Sequence, residues 1–151
     1  MPHLVILYTP QLDAETDMGA LCRALADTLL AARDEAGKPV FPPGGTRVLA
    51  YPAAHHAISD GGAAGRAAGG SGDYAFLYLN LRMGSGRSAA VHRQVGEALT
   101  AAARAQLAPL YERRHIGLTL QIDEGHEVFD AKASNIHPLF AAPGAAKAAP
   151  R

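Results

Sequence analysis

One pattern occurs twice in this chain. A short, almost continuously apolar run is followed by a segment of helical period and then by a second apolar run. Residues 3–8 (HLVILY) read as a buried strand. Thr16 or Asp17 then caps a helix to about Arg33, with Met18, Leu21, Cys22, Leu25 and Leu29 on one face. The helix is over by Gly37, and the loop KPVFPPGG leads into a strand at 46–51 (TRVLAY). The second copy starts with DYAFLYLNLRM, a strand over about 74–82. The break MGSG and a helix capped by Ser88 follow, with Val91, Val95, Leu99, Ala102 and Leu107 on one face. Pro109 lies inside that pattern and predicts a kink or an early end. IGLTLQI (116–122) is the closing strand.

Two strand–helix–strand units predict an α/β (α+β) fold: a four-stranded sheet with both helices on one face. The other face is then bare. Tyr74, Phe76, Tyr78, Leu118 and Leu120 suggest strands that are apolar on both sides, and an apolar face needs a cover. The chain has no further long helix to supply it, so a partner subunit is expected. Between the units, SDGGAAGRAAGGSG (59–72) reads as a flexible Gly/Ala-rich loop, too poor in apolar surface to order itself. Residues 1–140 are expected to form a single domain, and AAPGAAKAAPR (141–151) a disordered tail.

Composition narrows the class of partner. Fourteen basic residues balance fourteen acidic ones, so overall charge points to neither nucleic acid nor an anionic membrane. A positive site must be local. The single cysteine, Cys22, excludes an internal disulfide and reads as a small core residue. The apolar run at the start is too short for a signal peptide and has no basic region before it, and no segment approaches the ~18 apolar residues of a membrane span. A soluble, cytoplasmic protein is expected.

The first chemical candidate is GSGRSA (84–89), between a strand and a helix. It matches the G-x-G-x-x-G/A dinucleotide pattern, but the acidic residue expected ~20 positions on is missing, and Asp123 and Glu124 lie well beyond it. The local physics remains: close backbone, free N–H groups at a helix start, and Arg87 as a full charge. A cation at a helix N-terminus opposes the dipole, which favours a functional over an incidental Arg87. Arg47, heading the second strand, reads by itself as a surface or interface arginine. The histidines His3, His55, His56, His92, His115, His126 and His137 show no metal-ligand spacing, and His55 and His56 would point to opposite sides of a strand. No metal is implied.

Pro2 is the remaining oddity. It can simply head a strand, where proline loses no ladder hydrogen bond. Once Met1 is removed, it instead offers a secondary amine. Three stretches, MPHLVILY, DYAFLYLNLRMGSGRS and KASNIHPLF, together resemble the tautomerase superfamily and, within it, the 5-carboxymethyl-2-hydroxymuconate isomerases, over about residues 2–140. The resemblance implies a homotrimer that covers the bare sheet face. It also implies Pro2 as the acid–base group, and Arg47 and Arg87 as holders of substrate carboxylates. No cofactor is required, and the implied setting is the catabolism of aromatic compounds.

An α-amino group titrates near ~8, and an apolar setting with two guanidinium groups lowers it toward a neutral base at cytoplasmic pH. Such a base can move a proton from the oxygen of a dienol to a carbon further along the diene. KPVFPPGG and the 59–72 loop are longer than the family pattern, and Pro109 departs from its continuous helix. Rival readings are another activity of the superfamily, a decarboxylase or a different dienol tautomerase, and a non-catalytic trimeric binding protein.

Overall fold

Alternation within the apolar runs decides which side chains meet. In the computed structural model, which describes residues 2–140, the strands are β1 (His3–Tyr8), β2 (Arg47–Pro52), β3 (Ala75–Gly84) and β4 (Ile116–Gly125). The helices are α1 (Met18–Ala31), α2 (Ala63–Ala67) and α3 (Ala89–Tyr111). The sheet order is β2-β1-β3-β4: each unit pairs its own strands in parallel, and β1 joins β3 antiparallel at the centre. Leu4, Ile6 and Tyr8 of β1 and Leu77, Leu79 and Leu81 of β3 face the long helices and are buried. Leu21, Leu25 and Leu29 of α1, and Val91, Val95, Leu99, Ala103 and Leu107 of α3, recur at three- and four-residue spacing and close the core over them.

Of the two expected caps for α1, Asp17 is the one used, its carboxylate accepting from the Ala20 amide at 2.9 Å. Ser88 caps α3 by accepting from the Val91 amide at 3.2 Å. The early end expected at Pro109 is not found. The helix continues to Tyr111, because buried Leu107 and Leu110 hold the last turn on either side of the proline. Cys22 is half-buried against the core, and burial pushes its thiol pKa up.

The bare face differs in content from the expectation. Leu118 and Leu120 pair in register with Leu77 and Leu79, so they lie on the helix side. Tyr74 precedes β3, and its hydroxyl accepts from the Gly65 amide at 2.8 Å. The uncovered face instead carries Val5, Leu7, Leu49, Tyr51, Phe76 and Tyr78 at one end, with Leu7, Leu49 and Tyr51 46–49% exposed. His55 and His56 lie past the end of β2 and are exposed rather than strand-alternating.

The Gly/Ala stretch also departs from its reading as a flexible loop, since it contains α2. Apolar burial is not what orders it. The Asp60 carboxylate accepts from the Gly62 and Ala64 amides at 2.9 and 2.8 Å, which lowers its pKa, and Tyr74 anchors Gly65 from outside. Gly62 is obligatory here: its φ is +91°, and a Cβ would lie 1.9 Å from the Gly72 carbonyl oxygen. The tail at 141–151 lies outside the described residues.

After Gly125 the chain runs from the β4 edge of the sheet to the β2 edge, where a single 3-10 turn (His137–Phe140) packs on the Pro43–Gly45 turn. Crossing four strands takes about 14 Å, well within reach of this segment. Gly44 makes the seat, because a Cβ there would lie 2.8 Å from the Cα of His137.

Two substitutions test this description. Leu79→Ala should lower unfolding free energy by about 2–5 kcal/mol in urea melts, as for a fully enclosed leucine. Gly44→Ala should speed amide exchange over residues 136–140 while leaving β1 and β3 protected, because the clash is with backbone that can only move away.

Candidate functional site

Antiparallel pairing of β1 with β3 brings the beginning of β1 to the end of β3, and the parallel pairings bring the beginning of β2 and the end of β4 to the same edge. Pro2, Arg47, Arg82 and the GSGRS turn therefore share one end of the sheet. Pro2 is buried immediately ahead of β1, and its carbonyl accepts from the Arg47 amide at 3.3 Å. Arg47 is half-buried, and its Nη1 donates to the Gly45 carbonyl at 2.9 Å, which directs the side chain along the Pro43–Gly45 turn.

Arg87 is held firmly, though not by the helix start. Gly86 takes a φ of +98°, which turns the chain between β3 and α3. Arg87 Nη1 then donates to the Gly84 carbonyl at 2.7 Å and Nη2 to the Val40 carbonyl at 3.2 Å. Its guanidinium lies 5.0 Å from the centre of the Phe41 ring, itself buried. The loop KPVFPPGG is thus a brace for Arg87. The start of α3 already has its own groups: Ser88 caps it, and the Ser88 hydroxyl donates to the Glu35 carboxylate, lowering the Glu35 pKa. The adjoining cavity of about 350 Å³ is lined by Asp34, Glu35, Val40 and Arg87, among others, and two acids make it a poor anion site. The free N–H groups expected to add to Arg87 are therefore not part of an anion pocket there.

His3 stands between Arg47 and Arg82 in register on the neighbouring strands. Its pKa is lowered, by burial first and then by Arg47, with Arg82 adding to the effect. The folded chain thus binds a proton at His3 less readily than the unfolded one does. This contribution disfavours the fold as pH falls below the ordinary histidine value of 6.5 and vanishes above it. Asp130, on the segment that crosses toward His137, opposes the shift, so that segment passes within electrostatic reach of His3.

Arg82 and this crossing segment were not singled out from sequence. The signal for Arg82 was a lone cation in the otherwise apolar run DYAFLYLNLRM. The crossing segment offered KASNIHPLF, with nothing local to say where it docks. Among the described residues no group of three or more His, Cys, Asp and Glu is placed to hold a metal ion, and no helix is long and apolar enough to cross a membrane.

The arrangement offers a buried proline with arginines and a histidine of lowered proton affinity at one end of the sheet, a setting suited to proton transfer on an anionic substrate. Comparison with known proteins gives the family. The family model for 5-carboxymethyl-2-hydroxymuconate isomerase matches residues 2–140. A 5-carboxymethyl-2-hydroxymuconate Delta-isomerase of Escherichia coli is 29% identical over 140 residues, 93% of this chain and 99% of the relative. A crystal structure of a 5-carboxymethyl-2-hydroxymuconate delta-isomerase superposes with a TM-score of 0.91 at 65% identity, covering 94% of each chain. The 5-carboxymethyl-2-hydroxymuconate isomerase from Deinococcus radiodurans R1 superposes at 0.77 with 31% identity, covering 93% of this chain and 95% of the other. The chain belongs to the 5-carboxymethyl-2-hydroxymuconate isomerase family, and is an isomerase of the tautomerase superfamily.

Proposed function

We propose that the protein converts 5-carboxymethyl-2-hydroxymuconate, or a close dienol carboxylate, to its keto isomer in the breakdown of aromatic compounds, with Pro2 as the acid–base group and Arg47 and Arg87 holding carboxylates. The observation that carries the reading is the joining of Pro2 to Arg47 by a backbone hydrogen bond of 3.3 Å at a buried strand end. A neutral amine there is favoured over its charged form by burial and by neighbouring guanidinium groups.

The step conserves atoms. The Pro2 nitrogen, freed by loss of Met1, takes the proton of the 2-hydroxyl, and the C2–O bond becomes a carbonyl. The diene electrons shift along the chain, and the prolinium returns the proton to the far carbon of the diene. Negative charge moves toward a carboxylate during the transfer, where a guanidinium held in place stabilises it. Arg87 suits this role because Phe41, Gly84 and Val40 fix it before substrate arrives. The working unit is a homotrimer in which copies of the chain cover the apolar face of Leu7, Leu49 and Tyr51.

The test is to follow ketonisation by ultraviolet absorbance on protein of known intact mass. Protein without Met1 should be active, and protein retaining Met1 should be inactive, because the Pro2 nitrogen is then an amide. Pro2→Ala should lower kcat by about 10²–10⁴-fold, the usual worth of a positioned acid–base group. Arg87→Ala should raise KM by about 10–100-fold through loss of a charge-assisted contact. An unchanged rate in Pro2→Ala would sink the proline mechanism.

A further inference from the structure

The substrate proposed above carries three carboxylates, two on the muconate chain and one on the carboxymethyl arm. Arg47 and Arg87 answer two of them. His3 supplies no third charge at neutral pH, since burial and its arginine neighbours hold its pKa low.

Arg82 is a further cation at this end of the sheet. It sits one strand from His3 on the face that also carries Arg47, and it is exposed. Its cross-strand neighbour is Asp123, the natural ion-pair partner. That carboxylate is engaged elsewhere: it accepts from Asn80 Nδ2 at 2.7 Å and from Gln121 Nε2 at 3.4 Å. Among the described residues Arg82 donates no side-chain hydrogen bond and closes no ion pair. Glu127, on the crossing segment, borders the same slot, its Oε1 3.4 Å from where a Cβ on Gly125 would stand, and closes no ion pair with Arg82.

The arginine is nevertheless placed. Its Nε and Nη2 lie 3.0 and 3.2 Å from where a Cβ on Gly125 would stand, so a glycine at the end of β4 opens the slot in which the guanidinium lies. A guanidinium seated in a slot, on which neither Asp123 nor Glu127 closes an ion pair, is a ready fork for a carboxylate.

We propose that Arg82 binds the third carboxylate, that of the carboxymethyl arm, and so selects the tricarboxylate over dicarboxylate dienols. This assignment rests on the isomerase reading above. Arg82 positions the substrate and takes no proton, so its loss acts on binding more than on turnover.

The experiment compares 5-carboxymethyl-2-hydroxymuconate with 2-hydroxymuconate, which lacks the arm, as substrate or competitive inhibitor. For Arg82→Ala, KM for the tricarboxylate should rise about 10–100-fold with kcat changed little. The KM or inhibition constant of the dicarboxylate should stay unchanged, and Arg82→Lys should restore part of the loss. Gly125→Ala, which crowds the guanidinium without removing it, should shift the same ratio in the same direction by a smaller factor. Equal losses on both compounds, or no loss on the tricarboxylate, would overturn the role of Arg82 while leaving the isomerase intact. A wild-type protein that converts neither compound would instead overturn the isomerase reading, and the role of Arg82 with it.

Discussion

The antiparallel pairing of β1 with β3 is the contact on which the rest depends. Each strand–helix–strand unit buries one side of two strands under one helix, which is too little for an independent core. Placing β1 against β3 makes the buried side chains of Leu4, Ile6, Leu79 and Leu81 neighbours in the middle of one sheet, and lets α1 pack beside α3. The pairing also sets direction. Because the two units run opposite ways, the beginning of β1 meets the end of β3, and Pro2 comes to lie at the edge where the GSGRS turn leaves the sheet. A one-residue slip in that register would send the leucines to the bare face, so burial itself enforces the alignment of the site.

The site is built from backbone more than from side-chain networks. Arg47 and Arg87 are both tied by hydrogen bonds to carbonyl oxygens, of Gly45, Gly84 and Val40, which orient each guanidinium. Several acids near this end accept hydrogen bonds from other residues: Asp123 from Asn80 and Gln121, Glu35 from Ser88, and Asp130 from Lys132. The guanidinium groups of Arg47 and Arg82 stand either side of His3 on neighbouring strands, in a chain whose formal net charge is zero. The lowered proton affinity of His3 registers the same field.

Much of the architecture was legible because it is periodic. Leucines at three- and four-residue spacing announced α1 and α3, and Thr16 or Asp17, and Ser88, announced where they begin. The errors came where the signal was not periodic. Leu118 and Leu120 looked available to either face, and only their pairing with Leu77 and Leu79 assigns them to the helix side. The 59–72 stretch looked unable to order itself because it has little to bury. Its order comes from Asp60 and Tyr74 satisfying backbone amides, a possibility that composition does not display. Pro109 was read as an early terminator because its missing N–H is local, whereas the packing of Leu107 and Leu110 that outweighs it is not.

The sequence by itself determined the four strands, the two long helices and the need for a cover over one sheet face, and its resemblance to a family named Pro2, Arg47 and Arg87 as candidates. The elements follow from side-chain type and spacing, which act over a turn of helix or a pair of strand positions. Only the tertiary structure decided which residues stand together. Phe41 and Val40, some 47 residues from Arg87 in the chain, brace it; Gly44 seats His137; and Gly125 clears a place for Arg82. Such contacts depend on where two distant backbones pass each other, and a glycine that makes room leaves no mark in the sequence beyond the absence of a side chain.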